Sequence, residues 1–165
     1  MKQDKRAAYF ELRFRPNVEL VSVVRRFVSS FYERIIHDMD VTERLAMVTH
    51  ELLENAVKYS SDGETVLSIE VDQVGAPRNV LVRTKNRTTP ENRKIVTDAF
   101  VEANAASDMF AYYQELMKRA ATRTEGSGLG LGRIRAEADM AIEYAIDGEE
   151  LTIDARTTIP MMQAS

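Results

Sequence analysis

The chain has 165 residues, 44% of them hydrophobic and 29% charged, with a formal net charge of −4. That is enough apolar surface for one domain with a continuous core, and no charge surplus marks a nucleic-acid-binding tail. It contains no cysteine and only His37 and His50 as histidines, which excludes disulfides, thiolate metal sites and cysteine nucleophiles and argues against a histidine-built metal centre.

Phe10, Leu12 and Phe14 alternate with Tyr9, Glu11 and Arg13, predicting a first strand over about 8–14. After Pro16 and the N-cap candidate Asn17, Leu20, Val24, Phe27, Phe31 and Ile35 recur at helical spacing and predict an amphipathic helix over about 18–37. Asp40 followed by Glu43 reads as a capping box opening a second helix. Its stripe of Leu45, Val48, Leu52, Ala56 and Tyr59 runs to about residue 60. Leu67, Ile69 and Val71 mark the next strand, Gly75 to Asn79 a turn, and Val80 to Thr84 its hairpin partner. Residues 86–125 have a weaker pattern: a helical stretch around Phe100 and Val101, then a helix over about 107–121 with Phe110, Tyr113 and Met117 on one face. This insertion reads as a lid. A helix over about 131–140 and two strands joined at Asp147-Gly148 complete the order, the last strand showing Leu151, Ile153, Ala155 and Thr157 on one face. The expected fold is α+β: a two-layer α/β sandwich in one domain spanning 1–165, with a mixed, mostly antiparallel sheet and helices on one face.

Two segments carry chemistry. In Glu51-Leu-Leu-Glu-Asn55-Ala-Val-Lys58, the carboxylate and the carboxamide lie one helical turn apart, beside the apolar stripe rather than in it. A carboxylate there is a candidate general base, and an amide oxygen suits Mg²⁺, which prefers oxygen ligands and keeps several waters. On spacing alone the same residues also read as solvated charges, with Glu54 and Lys58 spaced for an i,i+4 ion pair, and His50 reads as structural.

The second segment is Gly126-Ser127-Gly128-Leu129-Gly130-Leu131-Gly132. Four glycines at alternate positions are incompatible with regular structure, so a loop is expected, either cradling a polyphosphate against the next helix or acting as a hinge. A Walker loop is excluded because no Gly-Lys pair exists, and the dinucleotide fingerprint fails at Leu131 and Arg133.

Together these segments resemble the GHKL (Bergerat-fold) ATPases, the superfamily of gyrase B subunits, histidine-kinase catalytic domains and anti-sigma serine kinases. The Glu51–Asn55 run is similar to the family's N-box and Gly126–Gly132 to its second glycine box. The resemblance implies Glu51 as general base, Asn55 as ligand of Mg²⁺, Lys58 as a phosphate contact, and the Gly126, Ser127, Gly128, Leu129, Gly130 and Gly132 segment as the cradle of bound ATP. The first glycine box, Asp-x-Gly-x-Gly, is missing: the chain reads Thr84-Lys85-Asn86-Arg87, and Asn86 stands where the adenine-binding Asp is expected. Compact length relates the chain to stand-alone anti-sigma-type serine kinases, including the SiaB-like branch. That implies Mg-ATP-dependent phosphorylation of a serine or threonine on a small STAS-domain partner, with a homodimer as a further expectation. The alternative is a degenerate regulator that binds a protein partner without turnover; a plain ATPase ranks last. No apolar run approaches the ~20 residues that cross a bilayer and the start lacks a signal-peptide core, so no membrane is expected and the expected location is the cytoplasm; with a net charge of −4, nucleic acid is not an expected partner either.

Overall fold

The computed structural model describes residues 7–15, 17–122 and 129–160. Its elements, in chain order, are β1 (Ala7–Phe14), α1 (Val18–Ile36), α2 (Met39–Tyr59), β2 (Thr65–Asp72), β3 (Arg78–Arg87), α3 (Pro90–Ala105), α4 (Met109–Thr122), α5 (Leu129–Ala138), β4 (Ala141–Asp147) and β5 (Glu150–Ile159). The strands form one sheet in the order β1-β2-β3-β5-β4. All four pairings are antiparallel, so the sheet is not mixed. The reason is topological: β4 runs parallel to β3, but β5 folds back between them and pairs with both.

Alternation in the strands sets the two faces. Leu67, Ile69 and Val71 on β2, Val80 and Val82 on β3, and Leu151, Ile153 and Ala155 on β5 are buried on the helix side. They meet Leu45, Val48, Leu52 and Leu53 of α2 in a single core. The architecture is the expected two-layer α/β sandwich.

Helix α1 buries Val24 of the expected stripe and packs Phe31 and Ile35 against the core, but the inward face is centred one residue further on. Val24, Val28, Tyr32 and Ile36 are buried, whereas Leu20 and Phe27 are exposed. Tyr32 fixes this rotation: its hydroxyl lies 2.8 Å from the Thr49 hydroxyl of α2, and Thr49 donates to the Leu45 carbonyl oxygen at 2.8 Å. Phe27 packs edge-on to Phe10 of β1 instead, at 5.0 Å between ring centroids. His37 ends α1 in the left-handed region, with φ 58°. Asp38, not Asp40, is then the N-cap of α2, its carboxylate accepting from the Val41 amide at 3.0 Å.

In the 86–125 segment, Thr89 caps α3 by accepting from the Asn92 amide at 3.2 Å, and Val96, Phe100 and Ala103 enter the core. Phe100 lies 4.7 Å from the Tyr144 ring of β4. On α4 the expected apolar face splits: Tyr113 and Leu116 are buried, while Phe110 and Met117 are exposed. Tyr113 and Leu116 face α5, and that contact decides which side of α4 is covered.

The open side of the sheet is charged. Asp154 of β5 takes both oxygens to Arg83 of β3, at 2.6 and 2.7 Å, and also accepts from Arg156 at 2.7 Å. Burial pushes the Asp154 carboxyl up, but the two guanidiniums outweigh it and hold it below its ordinary value. A carboxyl depressed in the folded state contributes stability above its unfolded pKa of about 3.9, and loses it as pH falls through the folded value. The expected result is that the wild-type Tm declines more steeply below about pH 4 than that of Asp154→Asn, checked by thermal melts across the acid range.

Candidate functional site

Helix α2 presents the acidic and amide groups because its other faces are committed. Val48, Leu52 and Ala56 point into the core, which leaves Glu51 and Asn55 half-buried on the flank, one turn apart. Helix α5 lies against that flank, with Leu131 and Ile134 buried toward the sheet.

Gly130 is where the two helices touch. A Cβ at Gly130 would sit 2.8 Å from Glu51 Oε2 and 3.4 Å from Asn55 Nδ2. Gly132 serves the other side: a Cβ there would sit 2.5 Å from Leu116 Cδ1 and 3.4 Å from Tyr113 Cδ2 of α4. Both glycines lie within α5, Leu129–Ala138, so the described helix already covers positions ahead of the expected start at about 131. Each glycine costs a helix about 1 kcal/mol relative to alanine. Here the missing side chains let α5 wedge between α2 and α4, and that close approach, not loop freedom, is the structural use of Gly130 and Gly132. Gly126, Ser127 and Gly128 lie outside the described residues.

Other candidate residues stand apart from this cluster. Lys58 is exposed, with its ammonium 5.5 Å from the centroid of the Tyr59 ring. Glu54 pairs with His50, Oε1 to Nε2 at 2.9 Å, instead of with Lys58. Asn86 is buried near the end of β3, between Thr65 and Leu151, and its amide donates to the Arg87 carbonyl at 3.2 Å.

Arg133 was not foreseen as a site residue. Its Nη1 lies 3.0 Å from Glu51 Oε1, and its Nε lies 3.0 Å from Glu137 Oε2. The guanidinium is held charged chiefly by the Glu137 hydrogen bond, which with that from Glu51 outweighs burial. A sequence signal existed, since Arg133 follows Gly130 by three and precedes Glu137 by four, so all three share one helical face.

Among the described residues, no group of three or more acidic or histidine side chains converges as a metal cage. Asn55 carries an amide oxygen of the kind Mg²⁺ takes, with its Nδ2 the atom nearest Gly130, and Glu51 stands beside it. The neighbouring crevice, lined by Asn55, Tyr59, Ile95, Val96, Ala99, Leu131 and Ile153, encloses about 20 Å³. That is room for about one water, against several hundred Å³ for a typical small-molecule site.

No family model and no curated protein matches the chain. Among solved structures, a chain of the crystal structure of the SiaB–SiaC complex from Pseudomonas aeruginosa is similar, with a TM-score of 0.65 and 14% identity over 91% of this chain and 89% of that one. At that identity the likeness is one of fold, covering nearly the whole α/β sandwich.

Proposed function

We propose that this protein is a phosphotransfer enzyme of a partner switch, transferring the γ-phosphoryl group of Mg-ATP to a serine or threonine of a small protein with a STAS-type fold. The observation that carries the reading is the meeting of Glu51, Asn55 and the side-chain-free Gly130, with Glu51 Oε2 only 2.8 Å from where a Cβ would stand. The resemblance to the N-box and second glycine box supports the same assignment, and so does the fold shared with a chain of a two-protein complex.

Bound Mg-ATP would supply the phosphoryl group and its metal. Glu51 accepts the proton of the partner's hydroxyl as that oxygen becomes the nucleophile. Asn55 would hold the metal through its neutral amide oxygen. Among the described residues, the crevice beside Asn55 encloses about 20 Å³, with Ile95, Val96 and Ala99 of α3 on its wall.

Titration calorimetry with ATP, ADP and Mg²⁺, paired with thermal melts, tests the reading. Binding at 100 times Kd stabilises the native state by about 2.7 kcal/mol, which is readily seen in a melt. Absence of both heat and stabilisation at millimolar nucleotide favours the second reading, a regulator that sequesters its partner without turnover. That alternative draws on two specific observations: the small size of the crevice beside Asn55, about 20 Å³, and the ion pair that occupies Glu51 Oε1.

A further inference from the structure

The geometry points to Arg133 as the positioning residue for Glu51. The inference rests on the phosphotransfer reading and concerns how the base is aimed. A glutamate on a helix flank has three side-chain torsions and samples many rotamers, so its carboxylate is poorly directed unless something fixes it. Here each oxygen has a separate role. Oε1 accepts from Arg133 Nη1 at 3.0 Å, while Oε2 faces the α5 backbone at Gly130.

Arg133 is itself held by a second carboxylate. Its Nε donates to Glu137 Oε2 at 3.0 Å, one turn further along α5. Glu51, Arg133 and Glu137 thus form a chain of two ion pairs linking α2 to α5. The Glu51 side chain is 16% exposed and that of Arg133 40%, so the inner end of the chain is shielded and the outer end is solvated.

Phosphoryl transfer passes through a loose transition state in which positioning and electrostatics dominate, and a misplacement of about 1 Å can cost about 10²-fold. Holding the carboxylate in one direction is what the Arg133 contact at 3.0 Å supplies. Arg133 is not proposed to touch nucleotide or partner; it acts through Glu51.

The test has two arms on the full chain. In the nucleotide-free protein, melts of Glu51→Gln, Arg133→Gln and the double variant form a cycle. The expected result is non-additivity, with Arg133→Gln lowering Tm more in the wild-type background than beside Glu51→Gln, where only the Glu137 pair is left to lose. In the second arm, Arg133→Gln is expected to lower kcat for phosphotransfer by about 10²-fold with KM for ATP unchanged, and Arg133→Lys is expected to restore part of the loss. Additive Tm shifts, or a kcat equal to that of an active wild type, would overturn the positioning role while leaving the phosphotransfer reading intact. A wild type that neither binds ATP nor transfers phosphate overturns both, and a non-additive cycle would then mark a structural ion pair only.

Discussion

Glu51→Gln is expected to reduce phosphotransfer to a small protein partner by about 10²- to 10⁴-fold, the range over which general bases contribute, while leaving nucleotide affinity within a few-fold of wild type. The substitution keeps the shape of the side chain, but it removes the negative charge, one acceptor oxygen and the ability to take a proton. Glu51 is half-buried and makes one ion pair, to Arg133 at 3.0 Å. Replacing it leaves Arg133 with its second partner, Glu137 at 3.0 Å, so the cation is not stranded and the fold is expected to persist. Single-turnover transfer from labelled ATP, read beside calorimetric affinity, separates the two effects. Retained transfer at the wild-type rate would remove Glu51 from the role of base and shift the search to another group on α2 or α5.

Gly130→Ala is expected to uncouple stability from activity. The new methyl would lie 2.8 Å from Glu51 Oε2 and 3.4 Å from Asn55 Nδ2, so the carboxylate must move. Both nearest atoms are side-chain ends rather than backbone, which makes the shift affordable. Alanine also gains about 1 kcal/mol of helix propensity over glycine. The two effects oppose, and Tm is expected to stay within a few degrees of wild type. Phosphotransfer is expected to fall by about 10²-fold, because the displaced carboxylate no longer aims at its proton. A parallel melt and rate measurement decides it. Full activity in Gly130→Ala would show that Glu51 need not lie against α5 to work.

The two expectations differ from what a loop reading of the glycines gives. In a hinge or phosphate loop, alanine at one of several glycines acts through backbone freedom. In a helix packed this closely, it acts through volume. At Gly132 the added methyl would meet Leu116, which is buried, rather than the Glu51–Asn55 pair. That variant should therefore perturb the α4–α5 packing and not the aim of Glu51.

The amino-acid sequence determined what local periodicity and spacing can encode. Alternation identified the strands, because side chains on a pleated chain point to opposite faces. The one-turn spacing of Glu51 and Asn55 put them on one flank of α2, because a helix returns to the same side every 3.6 residues. It also named Gly130 and Gly132 as positions without side chains, but not what the missing side chains admit. Tertiary structure decided the rest. The inward stripe of α1 is Val24, Val28, Tyr32 and Ile36, set by the Tyr32–Thr49 contact with another helix. Helical conformation prevailed over glycine's backbone preference because α5 had to fit between α2 and α4. The Arg133–Glu51 ion pair joins residues 82 positions apart, so only the packing of one helix on another brings them together. Local sequence sets which way each residue can face, but the meeting of two faces depends on contacts distant along the chain, and these form only when the whole core does.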